Sequence, residues 1–152
     1  MIKVGFGSGI TSLCAQQNRI FIATDAGKII CYDFKDDEVL WEYAVYDTLA
    51  GDMAVENDSI YLFGRKGRVH RISSSGVLIW SRDLGNPIMK LPSEDSASYY
   101  IPSDETLFVI DKVTGTITWA LLMPRITSGN VAVSHGAIYF GTEKDGLSSL
   151  KK

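Results

Sequence analysis

The segment that decides the fold is residues 20–41, which read IFIATDAGKIICYDFKDDEVLW. Residues 20–24 are rich in β-branched and aromatic side chains, which is typical of a strand. Gly27 then stands where a tight hairpin needs a positive φ. A second apolar run follows at 28–33 and a third at 39–41, which ends in Trp41. The segment therefore predicts three strands joined by two turns.

The same pattern recurs along the chain. Trp41, Trp80 and Trp119 are evenly spaced, and the first strands of the units follow the same period, at 20–24, 60–64, 99–103 and 138–142. Short apolar strands at 53–55, 89–91 and 131–133 are predicted to complete the units. Four strands in a unit of about 40 residues are the signature of a propeller blade. The fold class predicted is all-β, with four blades of four antiparallel strands in one domain over 1–152.

The third unit departs from this pattern at two places. It has Asp104 and Glu105 where the other units have a turn glycine, so its turn is expected to differ. Pro102 lies at the end of a strand that should be central, although proline cannot donate to a ladder. No segment carries apolar residues at helical spacing over three turns, so almost no helix is expected.

The composite motif is Ile-Tyr-x-Gly-Thr, a glycine turn, a strand ending in Asp, a second turn, and Val-Leu-Trp. It resembles the repeat of the PQQ-like (quinoprotein-type) β-propeller family, best at 20–41 and 99–119, and at 138–146 for the opening of the repeat. This family includes enzymes, scaffold subunits and binding proteins, so the resemblance is specific for fold and not for function. It implies that Trp41, Trp80 and Trp119 dock between neighbouring blades. It also implies rings of more than four blades.

The two ends of the chain look like complementary parts of one blade. By the repeat, the chain starts at a tryptophan-type strand and stops after the second strand of the fourth unit. Residues 1–7 are therefore expected to pair with 138–150, because open sheet edges invite aggregation. Two closures satisfy this pairing: a four-bladed ring within one chain, or a homodimer in which two chains form an eight-bladed ring. A third interpretation is that the chain is a fragment of a larger propeller.

Composition argues against several classes of partner. The formal net charge of −3 comes without the clustered Lys and Arg that nucleic acid or an anionic membrane surface requires. The first residues do not resemble a secretory signal, and no window has the roughly 18 apolar residues of a membrane span. We expect a cytoplasmic protein. Cys14 and Cys31 lack the CxxC spacing and are interpreted as small buried strand residues.

No motif points to catalysis, a cofactor or a metal. The glycines at 5, 7 and 9 have the spacing GxGxG, whereas a dinucleotide loop needs GxGxxG between a strand and a helix. His70 and His135 have no carboxylate at ligand spacing. For the quinone chemistry of the family, the resemblance implies adjacent cysteines and a Glu/Asn/Asp calcium cluster, and neither can be assigned. The sequence predicts a protein that is not an enzyme, with no cofactor and no metal.

The hypothesis that remains is a protein-binding module, because propellers present loops on a rigid scaffold. Its partner is a protein to be sequestered or neutralised, and a bacterial toxin opposed by an immunity-type protein is a special case. The alternative is a propeller that binds a small molecule or acts as an enzyme in its central channel. The candidate partner-binding loops are rich in residue types favoured at interfaces; the same residues could also be parts of the tryptophan strand and its connection. These candidates are Tyr43, Tyr46, Leu49, Leu122, Met123 and Ile126.

Overall fold

In the part of the chain that the computed structural model describes, fifteen β-strands form four antiparallel sheets. The structure describes Gly5 and residues 7–88, 90–123, 131–142 and 146–151. No helix occurs among these residues, and strands follow one another in chain order within each sheet. The predicted all-β fold built from repeated blades is confirmed.

Each sheet is a simple meander whose strands are short. Sheet 1 contains β1 (Ile10–Gln16), β2 (Arg19–Thr24), β3 (Lys28–Asp33) and β4 (Glu38–Ala44). Sheet 2 contains β5 (Ala54–Glu56), β6 (Ser59–Phe63), β7 (Arg68–Ser73) and β8 (Leu78–Asp83). Sheet 3 contains β9 (Ser93–Glu94), β10 (Ser98–Ser103), β11 (Thr106–Asp111) and β12 (Ile117–Leu122). Sheet 4 contains β13 (Ala132–Ser134), β14 (Ala137–Thr142) and β15 (Gly146–Lys151).

The short strands differ from the prediction in two respects. Each pairs with the strand that follows it, β5 with β6, β9 with β10 and β13 with β14. A short strand therefore opens a sheet and does not complete the preceding one. In sheet 3 it lies at Ser93–Glu94; of the predicted strand 89–91, Lys90 and Leu91 are not in a strand and Met89 lies outside the described residues.

The turn between the two central strands differs in the third unit, as the sequence predicted. Gly27 (φ 73°) ends the turn between β2 and β3, and Gly67 (φ 97°) ends the turn between β6 and β7. In sheet 3 the ladder closes at the pair Ser103–Thr106, which makes the turn tighter, with Asp104 at φ 53°. Pro102 pairs with β11 but lies beyond the part of β10 that pairs with β9, so β9 needs no N–H from it.

The hydrophobic core lies between consecutive sheets. Side chains alternate along a strand, so each sheet has one face towards the next sheet along the chain, which we call the forward face, and one towards the previous sheet, the backward face. Phe21 and Ile29 of sheet 1 pack with Ile60 and Leu62 of sheet 2 in one buried cluster. Equivalent clusters join sheet 2 to sheet 3 and sheet 3 to sheet 4.

A tryptophan–glycine contact repeats at the first two of these junctions. Trp41 donates its Nε1 hydrogen to the carbonyl of Ser74 (3.1 Å), and a Cβ at Gly76 would lie 2.7 Å from its ring. Trp80 donates in the same way to the carbonyl of Lys112 (3.2 Å) and covers Gly115. The structure thus places each indole on the turn of the next sheet, between blades.

The third tryptophan, Trp119, packs against the cluster between sheets 3 and 4. Most of the segment 1–7, which was expected to pair with 138–150, lies outside the described residues, and the described part of sheet 4 has three strands. Within the described part of the chain, no helix has the length and apolarity needed to cross a membrane.

Candidate binding surface

The connection from sheet 1 to sheet 2 is held by backbone bonds to two hairpin turns. The N–H groups of Val45 and Tyr46 both donate to the carbonyl of Gly27, at 2.8 and 3.2 Å. A short distance further on, the N–H of Arg65 donates to the carbonyl of Thr48 (2.8 Å). The connection therefore forms a rigid part of the rim and not a free loop.

Tyr46 is the most exposed large apolar side chain on this connection. It is 85% exposed, and its backbone has a φ of 57°. A bulky residue in the left-handed region is a conformational outlier. One repeat later the same position is Gly85, with a φ of 76° and nothing within 4 Å of a built Cβ. The repeat thus has a strained tyrosine where glycine fits without strain.

Two shallow hollows flank the Tyr46 side chain. One, of about 240 Å³, is bounded by the turn of sheet 1 and by Asp47 and Lys66. The other, of about 290 Å³, is bounded by Lys66, Arg68 and Asp83. The Asp47 carboxylate accepts a hydrogen bond from the N–H of Lys66 (2.7 Å), and Arg68 forms an exposed ion pair with Asp83 (3.0 Å). The hydrogen bond of the Gly85 N–H, followed by that of Arg68, lowers the pKa of Asp83. The surface therefore combines one aromatic anchor with charges of both signs.

The other predicted loop residues lie in different environments. Leu49 and Met123 are buried core residues, and Ile126 lies outside the described residues. Leu122 is exposed at the end of β12. Tyr43 is half-buried, with its hydroxyl 3.0 Å from Nδ1 of His70. Among the candidates that the structure describes, Tyr46 and Leu122 are the exposed ones.

The burial of Leu49 and Met123 has a sequence signal that the repeat carries. Met123 is the third member of a column with Val45 and Leu84, each one repeat apart and all buried. Leu49 is matched one repeat later by Ile88, which is also buried. These positions fill the space under the connection between sheets. Comparing columns of the repeat, and not single loops, identifies them as core.

His70 is buried between sheets 1 and 2. Its ring contacts that of Tyr43 edge-on, and Nε2 is the one buried side-chain polar atom without a partner among the described residues. Burial, and then the charge of Arg68, lowers the pKa of His70. Its neutral form is therefore the one that the fold favours.

A charged network that the sequence did not reveal lies between sheets 2 and 3. Nζ of Lys112, whose side chain is 7% exposed, lies 2.7 Å from Glu56 and 2.7 Å from Glu94. It also lies 4.5 Å from the ring centroid of Tyr99, whose hydroxyl donates to Glu56 (3.2 Å). Burial opposes both charges, but the hydrogen bonds and the opposite charges outweigh it. These interactions lower the pKa of Glu56 and raise the pKa of Lys112. The pKa of Tyr99 is raised, chiefly by burial. This network ties sheets 2 and 3 together around a buried ammonium group.

The inner strands β1 and β5 carry side chains that pack between sheets. The Ser12 hydroxyl accepts a hydrogen bond from the N–H of Met53 (3.3 Å), and Cys14 and Ala54 pack against buried clusters. Beside them, a hollow of about 500 Å³ is lined by Asp52 and Arg65, among others. Among the residues that the structure describes, no group of three or more His, Cys, Asp or Glu side chains could hold a metal ion.

Sheets that follow one another in this way, each with its core against the next, define a protein of the β-propeller class. One family model matches residues 2–109 and again 47–152; its description is outer membrane protein assembly factor BamB. These matches span more than half of the chain, so the chain belongs to this PQQ-type repeat family, as the resemblance implied. No curated protein matches the chain at a significant level.

Solved structures show the same fold. The structure of BamB from Moraxella catarrhalis matches 97% of this chain and 48% of that chain, with a TM-score of 0.74 and 17% identity. The computationally designed Ika8 protein matches 97% of this chain and 47% of its own, with a TM-score of 0.72 and 12% identity. The designed Ika4 protein matches 97% and 93%, with a TM-score of 0.68 and 13% identity. The chain thus spans about half the length of BamB and Ika8.

Proposed function

We propose that this protein is a non-enzymatic module that binds another protein through the surface around Tyr46. The observation that carries the proposal is that Tyr46 is 85% exposed while its backbone is held in the left-handed region. Such a position costs of order 1 kcal/mol or more for a non-glycine residue, and strain of this kind clusters at functional sites. Tyrosine is among the residues that dominate binding energy at interfaces.

The surroundings of Tyr46 support a protein as the partner. The flanking hollows, at about 240 and 290 Å³, are small for a drug-sized ligand and suit single side chains. The charges of both signs around them favour one orientation of a partner over others. Membership in the BamB family is consistent with a role in protein interaction.

The finer parts of the proposal concern the partner and the setting. The protein sequesters or neutralises its partner, and an immunity-type role against a bacterial toxin is a special case. The complex forms in the cytoplasm, and a homodimer would present the Tyr46 surface twice. Co-expression with the proteins encoded beside it, scored by co-purification and by relief of growth arrest, tests this version.

Tyr46→Gly tests the binding surface most sharply, because stability and binding should respond in opposite directions. Relief of the left-handed strain should leave stability unchanged or raise it by up to about 1 kcal/mol. Loss of an aromatic anchor should cost about 2 kcal/mol of binding, roughly a thirtyfold loss of affinity. The measurement is affinity capture from the native host, followed by titration of the captured partner.

Val77→Ala is the matched control, since Val77 is an exposed apolar residue on the turn between β7 and β8, away from Tyr46. It should retain the partner at wild-type affinity. Equal recovery by the wild type, Tyr46→Gly and Val77→Ala would contradict the surface, and repeated capture without any partner would contradict the function.

A small-molecule site is the second candidate, favoured by the hollow of about 500 Å³ next to the inner strands. Its size is within the range of ligand pockets, and Arg65 and Asp52 supply opposite charges. A thermal-shift screen with quinones, sugars, nucleotides and divalent metals tests it. A ligand at 100 times its Kd should add about 2.7 kcal/mol of stability. A stabilisation that Asp52→Asn abolishes would favour this function over protein binding.

A further inference from the structure

The connection from sheet 1 to sheet 2 is bordered by three hollows that follow one another along the chain. It leaves β4, at the outer edge of sheet 1, and enters β5, at the inner edge of sheet 2. Tyr46, Asp47 and Lys66 line both hollows beside the tyrosine side chain. Thr48 lines one of these two and also the hollow of about 500 Å³ further in. Neighbouring hollows therefore share walls and form one groove, which we call the connection groove.

Two hairpin turns form the sides of the connection groove. The connection donates hydrogen bonds to the carbonyl of Gly27 on the β2–β3 turn, and it accepts one from the N–H of Arg65 on the β6–β7 turn. Sheets that pack face to face lie about 10 Å apart, whereas an α-helix with its side chains is about 10–12 Å wide. An extended chain therefore fits between the turns, and a helix does not.

The length of the groove sets the length of a segment that fills it. Its lining runs from Asp83, at the end of β8, to Asp52, shortly before β5, and thus crosses all four strands of sheet 2. Neighbouring strands lie about 4.8 Å apart, so three spacings give roughly 14 Å. An extended chain rises about 3.3 Å per residue and spans this distance with about four residues.

Lys66 supplies a positive charge in the groove beside Tyr46. It is exposed, and no described carboxylate forms an ion pair with it. The other cation of the two hollows, Arg68, is already paired with Asp83 (3.0 Å). The Asp47 carboxylate accepts the backbone N–H of Lys66 (2.7 Å). Within the described part of the chain, Lys66 is therefore the cation of these hollows that is available to a carboxylate of a partner.

The charges of the neighbouring turns restrict an acidic group to this position. The turn equivalent to that of Arg65 and Lys66 carries Asp25 in sheet 1, and Asp104 and Glu105 in sheet 3. A carboxylate is attracted by the basic turn and repelled by the acidic turns on either side of it. Charge complementarity thus favours a segment with an acidic side chain at the turn of sheet 2.

We propose that the partner protein docks an extended segment in the connection groove, with an acidic side chain against Lys66 and an apolar side chain against Tyr46. Alternate side chains of an extended chain point the same way, so these two residues of the segment are two positions apart. The hollows on either side of Tyr46, of about 240 and 290 Å³, each take one side chain. This docking mode rests on the proposed function, and it names the kind of partner that the surface recognises.

A random peptide library displayed on phage, selected against the full chain, tests this docking mode. Selected peptides should carry Asp or Glu two positions from an apolar residue, and a capped peptide of that sequence should bind in fluorescence anisotropy. Lys66→Gln should weaken its binding about three- to fivefold, as expected for a partly exposed ion pair. Replacing the acid of the peptide by glutamine should cause the same loss in the wild type and no further loss in Lys66→Gln. Lys35→Gln is the matched control, because it removes an exposed charge on the β3–β4 turn and should bind as the wild type does.

Each outcome supports or overturns the docking mode. A selection without enrichment over the bare support would overturn it, and so would a peptide that binds Lys66→Gln and Lys35→Gln equally well. A bound peptide that is helical by transferred nuclear Overhauser effects would rule out the extended form. Tyr46→Gly should weaken the selected peptide as well, and unchanged binding would contradict the contact with Tyr46. If capture of a partner from the native host depends on Tyr46 while the peptide selection fails, the docking mode is wrong and the proposed function stands.

Discussion

Gly115 shows how a single residue sets the distance between two sheets. The ring of Trp80 lies where a Cβ at Gly115 would stand, and the backbone there has a φ of 69°. Glycine is thus required twice, once for the conformation and once for the close approach of the indole. Gly85 has the same conformational demand, with a φ of 76°, but nothing within 4 Å of a built Cβ.

This pair of glycines separates strain from packing by experiment. Gly85→Ala should lose about 1 kcal/mol of unfolding free energy, from the left-handed backbone alone. Gly115→Ala should lose about 2–4 kcal/mol, because overpacking of about 1–3 kcal/mol is added. Urea denaturation followed by tryptophan fluorescence measures both values. Equal losses would mean that the indole moves without cost and does not hold the junction.

His70 links one residue to the pH dependence of folding. Its pKa is lowered in the folded protein, so the unfolded chain binds the proton more tightly. Stability is therefore complete above the ordinary histidine pKa of about 6.5 and falls as the pH drops from there towards the lowered folded pKa. The slope for one proton is at most about 1.4 kcal/mol per pH unit.

His70→Phe should flatten this dependence, since phenylalanine occupies the equivalent position in sheet 3 as Phe108. The measurement is the unfolding free energy between pH 5 and 7.5, on the wild type and on two variants. His135→Asn is the control, because His135 is exposed and asparagine tolerates its φ of 46°. A slope that survives His70→Phe but disappears in His135→Asn would contradict the assignment.

At the scale of elements, the ends of β5, β9 and β11 are tied together by Lys112. Its ammonium lies 2.7 Å from carboxylates on the first two strands, whereas the pair of Lys28 and Glu42 in sheet 1 has both side chains about half exposed. All three ion pairs have the same length, so burial is what distinguishes those of Lys112 from that of Lys28. Exposed pairs contribute between 0 and about 1 kcal/mol.

Lys112→Met should destabilise the protein by about 1–3 kcal/mol near neutral pH, which is less than the usual cost of breaking a buried pair, because the two glutamates are partly hydrated. Lys28→Met, the matched control, should change stability by less than about 1 kcal/mol. The lowered pKa of Glu56 means that the contribution of the network is present above about pH 4.5 and is lost on acidification. The raised pKa of Lys112 means that it is lost again above about pH 10.4. A difference between the two variants that does not narrow towards pH 3 would contradict this assignment.

The strand pattern was predictable from the sequence wherever a strand is central, because buried strands must be apolar and recur with the period of the repeat. The inner strand of sheet 3 was not predictable. Its residues, Ser93 and Glu94, are polar, and Glu94 forms an ion pair with Lys112. The strand is also very short, with two residues paired to β10. The sequence therefore predicted this strand at the apolar run 89–91, which lies just before it in the chain. The network itself unites three residues from separate segments, in no motif, so it required the structure.

Tyr46, the exposed aromatic side chain of the candidate surface, was only partly predictable from the sequence. Tyr46 was among six candidates, and sequence alone gave no means to separate it from Leu49 and Met123, unless the columns of the repeat were compared. That comparison also shows tyrosine where the next repeat has Gly85. A residue that breaks a repeat column against its backbone preference is the signal to look for in such chains.

At the scale of the whole molecule, the repeat holds the candidate binding surface in place. Three interfaces between consecutive sheets are covered within the chain, each by apolar side chains of both sheets. The connection from sheet 1 to sheet 2 is bonded to the turns at the rim, and it carries Tyr46 in an exposed position. The central claim is that the row of packed sheets holds Tyr46 as the anchor for a partner protein.

Titration of a captured partner against the wild type, Tyr46→Gly and Val77→Ala tests this claim most directly. Tyr46 and Val77 are both exposed apolar residues, and they lie on different connections of the fold. The account predicts that Tyr46→Gly binds the partner about thirtyfold more weakly, equivalent to about 2 kcal/mol, while Val77→Ala keeps the wild-type affinity. Equal affinities of all three proteins would contradict the account.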